Sequence, residues 1–336
     1  MIAPYFVLKI LTFFKSCGII YKIKFMKGDP MKTYTSIEYI SDTKNVIALG
    51  CFDGVHAGHR KVITTATEIA KELDLPSAVW TFDRSPKNYF SPHSVPTITD
   101  FEEKEALVCE LGVDKFICVE FGPQIFEISP VDFFEDILVK RLCACHLVCG
   151  FNYTFGKKSA GDITLLKELC DKAGIGLSVI NAVSVDGIQI SSSAIRSALA
   201  EGDVELAGKM LGRPYSLTST VFSNQRLARK LGFPTANQMF ESDKLVPKKG
   251  VYVTRIKVGG ESKFGITNVG IRPTVNDHTL CAETHIFDYQ GDLYGKEITV
   301  DFISFLREEK RFDSVDALSQ QVHTDIETAK KYIEKL

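Results

Sequence analysis

The chain runs to 336 residues with a formal net charge of −2, 45% hydrophobic and 24% charged. That length accommodates two domains with cores of their own, and the charge balance lacks the basic excess that a nucleic-acid surface carries. Nine cysteines, an odd number scattered through apolar segments, suit reduced core thiols in a cytoplasmic protein rather than a disulfide framework.

Residues 1–30 read as a foreign leader. Ile2–Phe25 is apolar with interspersed lysines, yet it has no basic start and no small-residue cleavage site. It also lacks an uninterrupted span of about 20 apolar residues. The expectation is an over-extended start, with the working protein beginning at Met31 or Met26; a helix lying on a membrane surface is the alternative. Neither a membrane nor a nucleic acid is expected as a partner.

From Val46 to about Val183, short apolar runs alternate with helical stretches. The predicted strands are 46–49, 77–82, 115–119, 146–150 and 177–183; the predicted helices are 61–73, 102–111, 131–142 and 163–173. Pro130 and Asp162 stand at helix starts, and Gly112 and Gly174 just past helix ends. Strands alternating with helices predict a Rossmann-like α/β domain, a doubly wound parallel sheet whose ligands bind beyond the carboxyl ends of its strands.

The first strand runs into Gly50-Cys51-Phe52-Asp53-Gly54-Val55-His56-Ala57-Gly58-His59. A buried strand ending in a glycine-bracketed turn before a helix offers backbone N–H groups and the positive end of the helix to an anion. The His-x-Gly-His spacing adds two imidazole donors. His56 and His59 therefore mark a phosphate-handling site, with Asn152 after the fourth strand converging on it. Cys143-Ala144-Cys145-His146-Leu147-Val148-Cys149 reads either as soft metal ligands or as a helix end and a buried strand; no second ligand pair lies at zinc spacing, which favours the strand. Further on, Ile190-Ser191-Ser192-Ser193-Ala194-Ile195-Arg196 puts serine hydroxyls at a helix N-terminus, where they cap it and can reach phosphate. Arg196 follows one turn in, with a fork suited to phosphate. Alone, such serines are an ordinary cap; beside the histidine turn they make a second phosphate element.

Gly212-Arg213-Pro214 punctuates the chain, and the texture changes beyond it, so residues 31–212 and 213–336 are expected as separate domains. Strand-like alternation runs over 215–222, 250–258, 263–269, 282–287 and 297–305, with helix returning at 315–335. This predicts a small β-barrel with a terminal helix. In Leu231-Gly232-Phe233-Pro234-Thr235-Ala236-Asn237, the last four residues are expected as a turn presenting a hydroxyl and an amide oxygen, both ligands for a hard cation. A plain turn is the other reading. On the bare sequence Glu283 reads as an exposed strand residue.

Together, Gly-x-Phe-Asp-Gly-Val-His-x-Gly-His, Ile-Ser-Ser-x-x-Ile-Arg and Gly150-Phe151-Asn152-Tyr153-Thr154-Phe155-Gly156 resemble the nucleotidylyltransferase half of prokaryotic bifunctional riboflavin kinase/FAD synthetases. The resemblance runs from about Val46 to the C-terminus. Leu231–Asn237, Asn268–Thr274 and Glu283–Asp288 with Asp292–Gly295 are similar to that family's riboflavin kinase half. It implies an N-terminal domain that adenylylates FMN to FAD and a C-terminal barrel that phosphorylates riboflavin to FMN, both with Mg²⁺ and ATP. His56 and His59 would bind the triphosphate and stabilise the transition state within a turn formed by Gly50, Phe52, Asp53, Gly54 and Gly58. Ser192, Ser193 and Arg196 would hold the β/γ-phosphates, and Asn152 would place substrate or metal. Asp53 is expected to be structural rather than a base. In the kinase half, Thr235 and Asn237 would bind Mg²⁺ and ATP phosphates, Glu283 would act as base on the ribityl 5′-hydroxyl, and Gly232, Arg226 and Arg229 would meet phosphate. Arg272, Asp292, Tyr294 and Arg307 would face the flavin or its phosphate. A monomer or weak homo-oligomer is expected.

The resemblance departs in two places. Thr81-Phe82-Asp83-Arg84-Ser85-Pro86 stands where the family has a His-Pro pair, and Ser219, Asn224 and Ala228 stand where kinase members have glycines. A monofunctional FMN adenylyltransferase whose barrel only binds flavin is the alternative these raise. Another phosphorylated acceptor and a non-enzymatic flavin-responsive regulator are further readings. The Pro-Thr-Ala-Asn barrel and the lack of a DNA-binding element count against them.

Overall fold

The computed structural model describes residues 31–90, 95–222, 233–273 and 278–336. The leader call on residues 1–30 and the loop residues Asn224, Arg226, Ala228, Arg229 and Gly232 lie outside them.

The first unit is built on a six-stranded parallel sheet. Its strands are β1 (Lys32–Tyr34), β2 (Asn45–Leu49), β3 (Ser77–Phe82), β4 (Lys115–Val119), β5 (Ala144–Gly150) and β6 (Gly176–Ile180), in the order β1-β4-β3-β2-β5-β6. β2 is buried along its whole length, as a strand covered on both faces must be. Helix α1 (Ala57–Glu72) follows β2, and its Val62, Ile63, Ala66 and Ala70 face the sheet. Two short helices, α2 (Pro86–Phe90) and α4 (Pro123–Phe126), flank α3 (Phe101–Glu110). Helix α3 opens on a reciprocal capping box, in which the Asp100 carboxylate accepts from Glu103 N and the Glu103 carboxylate from Asp100 N.

The helix expected over 131–142 has two parts. Ser129 caps the single α turn α5 (Pro130–Asp132), with Pro130 at a position that needs no N–H donor. The chain then widens to π-helical bonding over Phe133–Arg141, where the Leu142 N–H reaches the Ile137 carbonyl at 2.9 Å. Asp162 caps α6 (Ile163–Ala173), and Gly174 ends it in the left-handed conformation, as composition predicts. A small hairpin, β7 (Ser184–Val185) with β8 (Ile188–Gln189), leads to α7 (Ser192–Glu201) and α8 (Val204–Leu211). The parallel order reverses between β2 and β5, so the crevice beyond Leu49 and Gly150 is the switch point.

The second unit is an antiparallel sheet of six described strands: β9 (Tyr215–Thr220), β10 (Thr235–Met239), β11 (Gly250–Val258), β12 (Glu261–Pro273), β13 (His278–Ile286) and β14 (Glu297–Arg307). Their order is β10-β13-β12-β11-β14-β9. The sheet curls until its end strands meet: Phe222 N donates to Asn237 O at 3.0 Å, and the Gln238 amide donates to Ser219 O and Ile298 O, each at 3.0 Å. Pro-Thr-Ala-Asn is therefore the start of a strand and not the expected turn. Pairing decides it, since Thr235–Met239 ladders antiparallel against β13, from His285 to Cys281.

Helix α9 (Val315–Ile333) covers the outer face, packing Ala329, Val322 and Ile326 against Val251, Val253, Ile266 and Phe287. One continuous core joins the two units, running from Ile98, Ile195 and Leu199 to Tyr215, Tyr252 and Phe302. Arg307 at the end of β14 locks α9 in place by donating to both oxygens of the buried Asp325 at 2.7–3.1 Å. Removing one partner of such a pair strands a buried charge. Asp325→Ala is expected to destabilise the chain by about 3 kcal/mol in urea unfolding.

Candidate active sites

The histidine turn is strained and heavily tied. Phe52 and Val55 both hold positive φ (49° and 39°), a region that a β-branched residue such as Val55 rarely adopts. Asp53 between them supplies the restraint. One carboxylate oxygen accepts from Ile98 N at 2.9 Å and Thr99 N at 3.2 Å, and the other pairs with Arg196 Nη2. Gly54 N donates to Thr99 Oγ1 at 3.0 Å, and Ser192 Oγ donates to Asp53 O at 3.0 Å. The Phe52 ring lies over Gly50, where a Cβ would meet it at 2.8 Å, which explains that glycine.

His56 is the N-cap of α1. Its Nδ1 accepts from His59 N at 3.2 Å, so the neutral ring carries its proton on Nε2. The two imidazoles stack at 3.5 Å with 16° between planes, and Phe52 meets His59 edge-on at 5.3 Å. Burial lowers the His56 pKa to about 4, and nearby Arg213 also disfavours its charged form. Burial lowers His59 too, with His56 and Lys104 adding to the effect. Both rings are neutral at pH 7. His59 Nδ1 is buried and has no hydrogen-bond partner among the described residues.

The two phosphate elements expected from sequence meet here. Ser191 caps α7 by accepting from Ala194 N at 3.1 Å, Ser192 reaches the histidine turn, and Ser193 is exposed on the first helical turn. Arg196 is held more firmly than expected, pairing with Asp53 and donating through Nε to Pro96 O at 2.8 Å. Asn152 lies two residues past β5, exposed at the switch point. The Thr81–Pro86 loop is anchored by other groups than a His-Pro pair: Thr81 Oγ1 donates to Cys51 O at 2.9 Å, and the Asp83 carboxylate accepts from Phe121 N at 3.0 Å. In the cysteine cluster, Cys143 and Cys145 thiols reach backbone carbonyls of Ser41 and Asn45.

Three residues escaped the sequence reading. Lys104, on α3, is buried and donates to Phe82 O at 2.9 Å and Cys51 O at 3.3 Å, beside the histidine turn. Arg213, read only as part of a domain break, brings its charge near His56. Lys244 crosses from the barrel to α3. The capping-box pattern of Asp100 and Glu103 was a usable signal for α3; nothing in the pattern marks a lysine on its buried face.

In the barrel, strand register makes the second cluster. Asn237 on β10 stands opposite Glu283 on β13, which stands opposite Asn268 on β12. Their neighbours Ala282, Thr284, Thr267 and Val269 are fully buried on the inner face, so the row lies on the other. Asn237 Nδ2 donates to Thr235 O and Oγ1 at 3.3 and 3.4 Å, bringing the two expected ligands to one corner. Phe233 is gripped edge-on by His285 and His323, and His285 Nδ1 lies 3.1 Å from Pro234 O. Asp292 accepts from Tyr294 N at 3.1 Å in a loop that bonds through Gly295 N to Val221 O at 2.9 Å, next to the Phe222–Asn237 bridge. Arg272 is on β12. Arg307, expected to face the flavin or phosphate, is instead engaged by Asp325.

A parallel sheet with a histidine turn at its switch point is joined to a barrel carrying oxygen donors and a carboxylate in one row, the architecture of a two-site phosphate-transfer enzyme. Residues 39–194 match the FAD synthetase family and residues 211–333 the riboflavin kinase family. The chain is 37% identical over 286 residues to the bifunctional riboflavin kinase/FMN adenylyltransferase of Pseudomonas fluorescens, covering 85% of this chain and 92% of that protein. It is 35% identical over 289 residues to the protein of that description from Escherichia coli K12, covering 85% and 92%. A crystal structure described as a macrolide-efflux protein from Streptococcus pneumoniae superposes with a TM-score of 0.81 at 30% identity, covering 89% of this chain and 98% of that one. The chain belongs to the bifunctional riboflavin kinase/FMN adenylyltransferase family.

The lowered histidine pKa values make acid a specific stress. Below pH 6.5 the unfolded chain takes up a proton that His56 refuses until about pH 4, so stability falls across that window and levels off beneath it. The contribution of His56 is on the order of 3 kcal/mol. Urea unfolding between pH 7.5 and 4.5 is expected to show a steeper loss for the native chain than for His56→Asn.

Proposed function

We propose that the two activities of the family are divided between the two sheets. The barrel phosphorylates riboflavin to FMN, and the α/β unit adenylylates FMN to FAD with release of pyrophosphate, each step using ATP. The observation that carries this is the pair of stacked, neutral imidazoles at the N-terminus of the 16-residue α1. Helix end and ring N–H groups together suit a polyphosphate.

In adenylyl transfer, a phosphate oxygen of FMN attacks the α-phosphorus of ATP, the bond to the β-phosphate oxygen breaks, and pyrophosphate leaves. The nucleophile is already charged, so no base is needed. His56 Nε2–H and His59 donate to oxygens on which negative charge grows, and fixed donors in a closed site stabilise that charge without reorganising. Gly50, Phe52, Asp53, Gly54 and Gly58 shape the turn. Ser192, Ser193 and Arg196 hold the outer phosphates, Arg196 through N–H groups beyond the two engaged by Asp53 and Pro96. Asn152 orients substrate from the β5 side.

In the kinase step, Glu283 takes the proton of the ribityl 5′-hydroxyl as its oxygen attacks the γ-phosphorus and ADP leaves. The Thr235 hydroxyl and Asn237 amide oxygen are hard donors that fit Mg²⁺. When bound, the ion neutralises phosphate charge. Arg226, Arg229 and Gly232 are assigned to ATP phosphates, and Arg272, Asp292 and Tyr294 to the flavin side. Arg307 enters as the buttress of α9 instead. The reading sets the domain division at 212/213 and takes the chain as cytoplasmic and monomeric or weakly self-associating.

A chromatographic time course with riboflavin, Mg²⁺ and ATP, repeated from FMN, tests this reading. Native chain is expected to form FMN and then FAD. His59→Ala is expected to lower FAD formation from FMN at least 100-fold and leave riboflavin phosphorylation within twofold; Glu283→Gln is expected to do the reverse. FAD from FMN with no product from riboflavin would favour a barrel that only binds flavin.

A further inference from the structure

The barrel reaches into the adenylyl-transfer site through one strand of contacts. Between β10 and β11, the segment Asp243–Leu245 pairs with Thr97 of the first unit. Thr97 N donates to Asp243 O at 2.7 Å, Thr97 Oγ1 donates to the same carbonyl at 3.1 Å, and Leu245 N donates to Thr97 O at 2.8 Å. Lys244, at the centre of this pairing, is 5% exposed. Its ammonium pairs with Glu103 and lies 3.6 Å from Asp100, so a barrel lysine stands between both carboxylates of the α3 capping box.

The same short run of chain is held from the other side by the histidine turn. Arg196 Nε binds Pro96 O at 2.8 Å, Asp53 accepts from Ile98 N and Thr99 N, and Thr99 Oγ1 accepts from Gly54 N. Residues 96–99 are thus claimed alternately by the two units. Glu103 is also followed directly by Lys104, whose ammonium holds Cys51 O and Phe82 O on either side of the turn. A shift of the first turn of α3 would move that lysine and the segment 97–99 together.

We propose that Lys244 is a positioning residue for adenylyl transfer: it acts through Glu103, Asp100 and residues 97–99 to fix the Asp53–Arg196 clamp and the histidine turn, so the barrel completes the other unit's site. Buried ion pairs of this kind seldom add net stability, because desolvation offsets the attraction. What they fix is geometry, and misplacing a phosphate-transfer site by about 1 Å costs on the order of 100-fold in rate. Without the ammonium, the two box carboxylates face each other in a largely buried place, where burial already favours the protonated form of Glu103. The inference rests on assigning adenylyl transfer to the His56–His59 turn.

The test uses the full chain with Lys244→Met and Lys244→Arg, measuring kcat and KM for ATP in FAD formation from FMN, and FMN formation from riboflavin as an internal control. Lys244→Met is expected to lower the adenylyl-transfer kcat at least tenfold with KM for ATP within threefold, while riboflavin phosphorylation stays within twofold of native. Lys244→Arg is expected to recover at least half the native kcat. Native adenylyl transfer in Lys244→Met overturns the proposal, and so do equal losses of both activities. Should Lys244→Met fail to fold, Glu103→Gln, which keeps the side-chain shape and removes the charge, carries the same expectation. His59→Ala run in parallel separates the two ideas: full FAD formation there sinks the site assignment, whereas an inactive His59→Ala beside a native-like Lys244→Met sinks only the coupling.

Discussion

A buried carboxylate at the bend of a glycine turn organises much of this molecule. Asp53 accepts two backbone N–H groups from 98–99 and pairs with Arg196, and in doing so it joins the end of β2, the segment 96–99 and helix α7. Its position is what lets Phe52 and Val55 remain in backbone conformations that side chains disfavour. The strain is local and its restraints are distant in sequence. That arrangement holds two aromatic rings and a helix end in one orientation before any substrate arrives, which is the condition under which fixed dipoles stabilise developing charge.

The electrostatics of the site follow from burial more than from formal charge. The His56 pKa is pushed down to about 4, so at neutral pH the imidazoles serve as N–H donors and not as cations. Positive potential comes instead from the N-terminus of α1, from Lys104 and from Arg213. This division has a chemical consequence. A neutral donor binds a polyphosphate without coupling its affinity to proton uptake over pH 6–8, whereas a permanent cation nearby keeps the long-range attraction. The proposed barrel reaction runs on different terms, since an alcohol must lose a proton, and there a carboxylate stands in the row.

Periodicity made most of the architecture legible. Val46–Leu49, Ser77–Thr81 and Lys115–Val119 are buried runs in a parallel sheet, and such runs stand out as mostly apolar stretches. The histidine turn and the serine helix were visible because their chemistry sits in contiguous residues. Strand β10 was not, because Thr235-Ala236-Asn237-Gln238-Met239 is polar at the positions that a periodicity search weights, and its buried Gln238 is satisfied by carbonyls of Ser219 and Ile298 that only the closed barrel brings near. The ion pair of Arg307 was hidden for a similar reason: its partner, Asp325, lies on the polar-looking side of a surface helix. Lys104 and Lys244 drew no reading from the sequence, and only the tertiary packing shows that they are buried against carbonyls and carboxylates.

Those two lysines also bear on why the chain keeps both units in one polypeptide. If the barrel were a tethered neighbour, its contact with the α/β unit would be a flexible junction with few buried charges, as interfaces between independent domains tend to be. Here a single apolar core runs through the junction, from Leu199 to Phe302, and a buried lysine of one unit pairs with the helix cap of the other. The strand that carries Asn237 ends at Met239, and the loop that follows it carries Lys244. The hard-donor corner of the kinase row and the prop beneath the histidine turn are therefore successive parts of one segment. Chain connectivity and the Lys244–Glu103 pair thus link β10 to the first turn of α3.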